Sequence, residues 1–267
     1  MIAAFRSEWV KLGRRNFLWG GFGTLIGFAV LLTLTGIFTA DADPDAAAAG
    51  PPGGFGGGVD LESAGGFLAG LDQAASFLGI ITLALFAANV AAEFSTGSIR
   101  VLLSTQPRRS QVLGGKILAL GAFVVVAILY AAVVSGLISF LLAGSQGIDT
   151  AAWTTGEAIG AGLSIYVNVT LAAFVYGLFG ALLGMLTKSS AISVAAGVAY
   201  FLLGETLLLQ PLWDQAEKWL PAGVLSALAS GGTEAVGHSR ALALATAYGA
   251  VAWVITALVL ERRDIVD

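Results

Sequence analysis

Few side chains in this sequence are of types that do chemistry, and their spacing excludes most reactions. There is no cysteine and a single histidine, His238. A thiol nucleophile, a disulfide, a thiolate metal site and an H-E-x-x-H zinc centre are therefore excluded. No G-x-x-x-x-G-K-[ST] phosphate loop occurs, so the chain is expected to have no ATP site, no cofactor and no catalytic residue of its own. Two places remain. Glu205 is the one carboxylate well inside a long apolar run. Such an acid marks a substrate or ion contact by default, or else sits near the outer boundary and snorkels to water; both readings stand. The second place is Glu93 to Lys116, EFSTGSIRVLLSTQPRRSQVLGGK. Arg100, Arg108, Arg109 and Lys116 make it basic, Gly97 and Pro107 punctuate it, and Ile99, Leu102 and Leu103 give it a small apolar face. That pattern predicts a short amphipathic helix that either docks on a partner protein or pairs with lipid phosphates.

The elements that must position these residues follow from composition. Hydrophobic residues make up 57% of the 267, and charged residues only 11%. A soluble domain carries about a quarter charged residues, so the fold class is an all-α polytopic membrane protein, read as one transmembrane domain. Apolar runs predict spans at 17–40, 73–92, 117–143, 156–186, 191–209 and 241–260. The first run is too long for the apolar core of a secretory signal. Residues 1–16 place Ile2, Phe5, Trp9 and Leu12 at helical spacing. They read as an interfacial helix, or as a basic flank that orients the first span.

Residues 41–72 form an acidic loop whose GPPGGFGGG run reads as a linker. Residues 210–239, divided by Pro211 and Pro221, predict two short helices lying at or dipping into the outer interface, with Trp213 and Trp219 at headgroup depth. Asn89, Asn168, Tyr166, Tyr176 and Tyr200 read as helix-contact residues. Three G-x-x-x-G matches, at Gly23, Gly156 and Gly180, permit close helix approach but carry little weight among 36 glycines. Of 13 Lys and Arg, all but Lys218 and Arg240 fall on one side of this topology. Both termini and the 93–116 segment are therefore expected to face the cytoplasm, the chain lying in the cytoplasmic membrane.

The 93–116 segment resembles the cytoplasmic segment of type-2 ABC transporter permeases. That family often carries a glutamate, a Gly-[ST]-hydrophobic-Arg run, Leu-Leu-Ser, a proline, a basic residue before Ser, and Gly-Lys. Here these are Glu93, Gly97-Ser98-Ile99-Arg100, Leu102-Leu103-Ser104, Pro107, Arg109-Ser110 and Gly115-Lys116. The opening, with Glu8 and Lys11 before Arg14-Arg15, and the ending Glu261-Arg262-Arg263-Asp264-Ile265 are similar to the family's as well. The glycine-rich loop after the first span is a departure from its pattern.

The resemblance implies a permease subunit of an ABC exporter, paired with a second permease subunit. Residues 93–116 would act as a coupling helix on a cytoplasmic ATPase that binds ATP and magnesium, and the N-terminal helix would touch that ATPase too. Largely apolar spans suit a drug, a lipid or an amphipathic peptide as substrate. The competing reading is a non-transporting membrane anchor or sensor that tethers a cytoplasmic partner. An intramembrane hydrolase fails for want of a paired acid and base in the spans, and nothing in the sequence points to nucleic acid.

Overall fold

The computed structural model describes residues 2–13, 15–39, 60–95, 109–209, 212–213 and 215–262. Among them the protein is helical throughout. Helix α1 is Ile2–Leu12, α2 is Arg15–Phe38, α3 is Ala69–Ser95, α4 is Arg109–Leu142 and α5 is Gly156–Thr187. Helix α6, Ser190–Val198, continues without a break as a π-helix, Ala199–Leu209. Short helices α7, Ala216–Trp219, and α8, Pro221–Ala229, precede α9, His238–Arg262.

Among the described residues, five helices are long and apolar enough to cross a membrane: Trp19–Phe38, Gly66–Phe94, Gln111–Gln146, Gly156–Thr187 and His238–Glu261. The chain is thus a multi-pass membrane protein. The run expected to form another span, 191–209, is helical but changes hydrogen-bond register at Ala199, so its regular α-helical part is only Ser190–Val198.

Helices α3 and α5 form the centre and have the most extensive contact in the molecule. Their approach depends on glycine. A Cβ on Gly180 would lie 2.1 Å from the Leu83 carbonyl oxygen, and one on Gly184 would lie 2.6 Å from that of Ala87. Backbone therefore rests on backbone, which is how helices associate where lipid removes the hydrophobic drive between them. The other two G-x-x-x-G pairs make no such contact, since nothing lies within 4 Å of a Cβ built on Gly23, Gly27, Gly156 or Gly160. Helix α2 packs on α3 and α4, α6 on α3, and α9 on α5. Thr33, Thr82 and Thr256 return their hydroxyls to the carbonyls of Ala29, Leu78 and Ala252, so these buried groups are satisfied within their own helices.

Two elements differ from the sequence expectation in extent. Helix α4 begins at Arg109 rather than near Ile117, so the end of the basic segment forms its first two turns. Those turns are held by α1, which packs along them, with Leu113 and Ile117 buried. Helix α3 begins at Ala69, after a 3-10 turn at Gly66–Leu68. Ahead of it, Asp60 Oδ1 accepts the Glu62 N–H at 3.0 Å, and Trp153 Nε1 donates to the Leu61 carbonyl at 2.8 Å. The end of the first loop is thereby tied to the 3-10 turn Ala151–Thr154. The GPPGGFGGG run lies outside the described residues.

Candidate functional site

Four charged side chains meet where α1, α3 and α4 converge. Glu8 and Lys11 come from α1, Glu93 from the last turn of α3, and Lys116 from the second turn of α4. Lys116 Nζ lies 2.8 Å from Glu93 Oε1 and 3.1 Å from Glu8 Oε2. Lys11 pairs with the other oxygen of Glu8 and stands 3.9 Å from Glu93. Lys116 is only 3% exposed and Glu8 4%, whereas the Lys11 side chain is 46% exposed. An ammonium taken this far out of water is tolerated only when paired and hydrogen-bonded, and Lys116 has a carboxylate on each of two helices. Two acids and two bases leave the cluster formally neutral.

Burial pushes the Glu8 carboxyl up, but Lys116 first, then Lys11, outweigh it and hold it below the usual carboxylate value. Glu8 is therefore a carboxylate at neutral pH despite its burial. Its position follows from helical spacing: Phe5, Glu8 and Leu12 share the inward face of α1, with Trp9 beside it, stacked on Phe5 at 5.8 Å. The apolar stripe that the sequence suggested for a lipid boundary is thus interrupted at its middle by an acid aimed at Lys116.

Of the residues singled out for a coupling role, Glu93 and Lys116 are brought together, and they are the two ends of that segment. Arg109 opens α4. Gly97, Ile99, Arg100, Leu102, Leu103, Pro107 and Arg108 lie outside the described residues. Glu8 and Lys11 were not expected in the cluster. The available signal was an acid on the apolar face of the first helix, and a lysine 108 positions later to answer it.

Glu205 lies toward the opposite end of the bundle, in the π-helix, and is fully buried rather than reaching for solvent. Its Oε1 accepts the N–H of Ala222 and that of Gly223, the latter at 3.2 Å. These are first-turn amides of α8, which have no partner within their own helix, and the carboxylate supplies one. Pro221 opens that helix, where its missing N–H costs nothing. Almost all of α8 is buried, against α3, α5 and α9. Trp213 and Trp219, by contrast, are about half exposed, and Arg240 stacks over Trp219 at 4.7 Å. His238 is the first residue of α9. Between α4, α5 and α9 runs an apolar groove of about 470 Å³, lined by Gly114, Leu118, Phe174, Leu178 and Trp253, with Leu228 of α8 at one side. Among the described residues no cluster of three His, Cys, Asp or Glu could hold a metal ion.

No curated protein matches this sequence. Residues 57–266, most of the chain and every element from α3 to α9, match the family described as "Protein of unknown function (DUF2705)", and the chain belongs to that family.

Proposed function

We propose that the protein is the permease subunit of an ABC exporter. In this reading six spans cross the cytoplasmic membrane, with α6 and its π-helical continuation counted as the fifth and both termini inside. A hydrophobic or amphipathic substrate is moved outward, and a separate cytoplasmic ATPase that binds ATP and magnesium drives the movement. A second permease subunit completes the path.

The observation that carries this reading is the Glu8–Lys116–Glu93 cluster. A chain without an ATP site must receive work through contact with a partner. The segment 96–108 is the natural lever, because it joins the last turn of α3 to the first turn of α4. The cluster locks those two helix ends to each other and to α1, so a push on the segment would move three helices as one body rather than bending a loop. In this reading Arg100, Arg108 and Arg109 meet the partner or lipid phosphates.

In the permease reading, Ile99, Leu102 and Leu103 fill an apolar cleft on the ATPase. The double variant Leu102→Asp, Leu103→Asp is expected to insert normally and to abolish substrate-stimulated ATP turnover by the reconstituted complex. Turnover equal to the parent's would refute docking through this face.

A further inference from the structure

The groove between α4, α5 and α9 has a buried floor and an open rim. Val175 and Leu178 of α5 and Gly249 of α9 form the floor, while Leu118, Leu171 and Leu242 stand at the edges, each 39–49% exposed. Helix α9 rests on α5 through Gly249, where a Cβ would lie 3.2 Å from Leu178 Cδ1, and it touches α4 only lightly. A cleft therefore remains between α4 and α9, and the small residues Gly114, Ala245 and Ala250 deepen it. These helices are long and apolar enough to cross a membrane, so what fills the cleft comes from the bilayer or from another membrane chain.

The lining carries no charged side chain. Thr246 returns its hydroxyl to the Leu242 carbonyl at 2.7 Å, and the other polar side-chain atom is the indole nitrogen of Trp253. Such a surface suits hydrocarbon and rejects a polar ligand, whose lost hydration nothing there would replace. From Leu242 to Trp253 the groove follows α9 for about 16 Å at the helical rise. That length matches one leaflet, half of a hydrocarbon core about 30 Å thick.

The three helices end together on positive charge. A Cβ on Gly231, just ahead of α9, would lie 3.6 Å from Asn168 Nδ2, and Gly249 lies against Leu178, so α9 runs in the same direction as α5. Gly136 and Gly162 both meet Phe67, and Gly121 meets Phe174, so α4 runs the opposite way. The start of α4 therefore stands at the same end as the finish of α5 and α9, which places Arg109, Lys188 and Arg262 at one end of the groove. Glu261 is the one acid in the terminal turns of these helices there. Arg109 starts α4 about 8 Å beyond Gly114, so a phosphate at that level leaves an acyl chain to run down the groove. Basic residues at the membrane boundary between helices are the usual setting for an anionic headgroup. We propose that the groove between α4, α5 and α9 holds an acyl chain of an anionic phospholipid, whose headgroup lies among Arg109, Lys188 and Arg262. A second copy of this chain fits less well, because a two-fold contact through this face would set the same cations side by side. The site rests on the membrane fold alone.

The test uses the full chain, without any ATPase, in nanodiscs of phosphatidylcholine. Increasing amounts of phosphatidylglycerol with brominated acyl chains are introduced, or of phosphatidylcholine brominated in the same way. Trp253 lines the groove, so its share of the fluorescence, taken as the difference between the parent and W253F, reports bromine held there. One cation near a membrane surface favours an anionic lipid about fivefold, so half-maximal quenching should need at least about fivefold less of the anionic lipid. K188Q combined with R262Q should reduce that preference several-fold. A250F fills the groove from an exposed position and should remove the quenching by the anionic lipid with an unchanged melting transition. If A250F does not fold, the charge variant still decides. Equal quenching by the two lipids in the parent, a preference that survives K188Q with R262Q, or a folded A250F quenched like the parent would each overturn the site. Protection of Trp253 from both lipids, with two chains in each disc, would overturn it in favour of a second copy. None of these results bears on whether residues 96–108 contact an ATPase, so the two proposals fail separately.

Discussion

Replacing Lys116 with methionine removes the buried cation that lies within 3.1 Å of both Glu8 and Glu93. Glu8 keeps Lys11, which is half in solvent, and Glu93 keeps the same lysine only at 3.9 Å. Breaking a buried pair from one side costs about 3–5 kcal/mol, because a charge is left without its partner in a poor solvent. The residual help from Lys11 puts the expected loss for Lys116→Met at the low end, about 3 kcal/mol. Lys11→Met removes a largely exposed partner and should cost about 1 kcal/mol or less. Replacing the whole buried set, Glu8→Met with Glu93→Met and Lys116→Met, removes charges and partners together and should return stability to within about 1 kcal/mol of the parent. The assay is unfolding by sodium dodecyl sulfate in mixed micelles, followed by circular dichroism. A Lys116→Met loss no larger than that of Lys11→Met would refute a closed cluster. A triple variant as unstable as Lys116→Met would show that packing volume, not an orphaned charge, set the loss.

The same cluster has a pH signature. The Glu8 carboxyl is held below its ordinary value of 4.5, so its contribution is complete above that pH and is lost as the pH falls through the lower folded-state value. The stability gap between parent and Lys116→Met should therefore be constant near neutrality and shrink below pH 4.5, as read from unfolding midpoints. At the centre of the bundle, Gly180→Ala places a Cβ 2.1 Å from the Leu83 carbonyl oxygen and should cost about 1–3 kcal/mol as α3 and α5 are pushed apart. Gly23→Ala, with nothing within 4 Å, should be neutral or slightly stabilising in the same assay through its gain in helix propensity.

The apolar runs were legible because their hydrophobicity reports directly on their environment, and each long helix falls where a run was read. The edges were less so. The basic segment looked like one polar break, yet its last residues continue α4, because α1 supplies a surface for them to pack on. Pairing across more than a hundred residues was invisible. Glu8 reads locally as an ordinary polar residue of an interfacial helix, and only folding brings Lys116 beneath it. The amphipathic look of 210–239 predicts two short helices lying at or dipping into a boundary, without saying how deeply either is buried. The structure buries α8 because Ala222, Gly223, Ala227 and Ala229 let it fit closely and because Glu205 satisfies its first amides. The π register at Ala199 has no signature in single-residue propensities.

The central claim, that residues 96–108 transmit work from a cytoplasmic ATPase, is tested most directly by crosslinking. Ser104 lies in the middle of that segment, and a cysteine placed there is unique because the chain has none. The Ser104→Cys chain, expressed in its native membrane and treated with a short bifunctional thiol reagent, should give one dominant adduct whose partner is an ATP-binding subunit. ATP should change the yield of that adduct. Adducts with lipid alone, or with proteins that bind no ATP, would contradict the exporter account and leave these helices as an anchor or sensor.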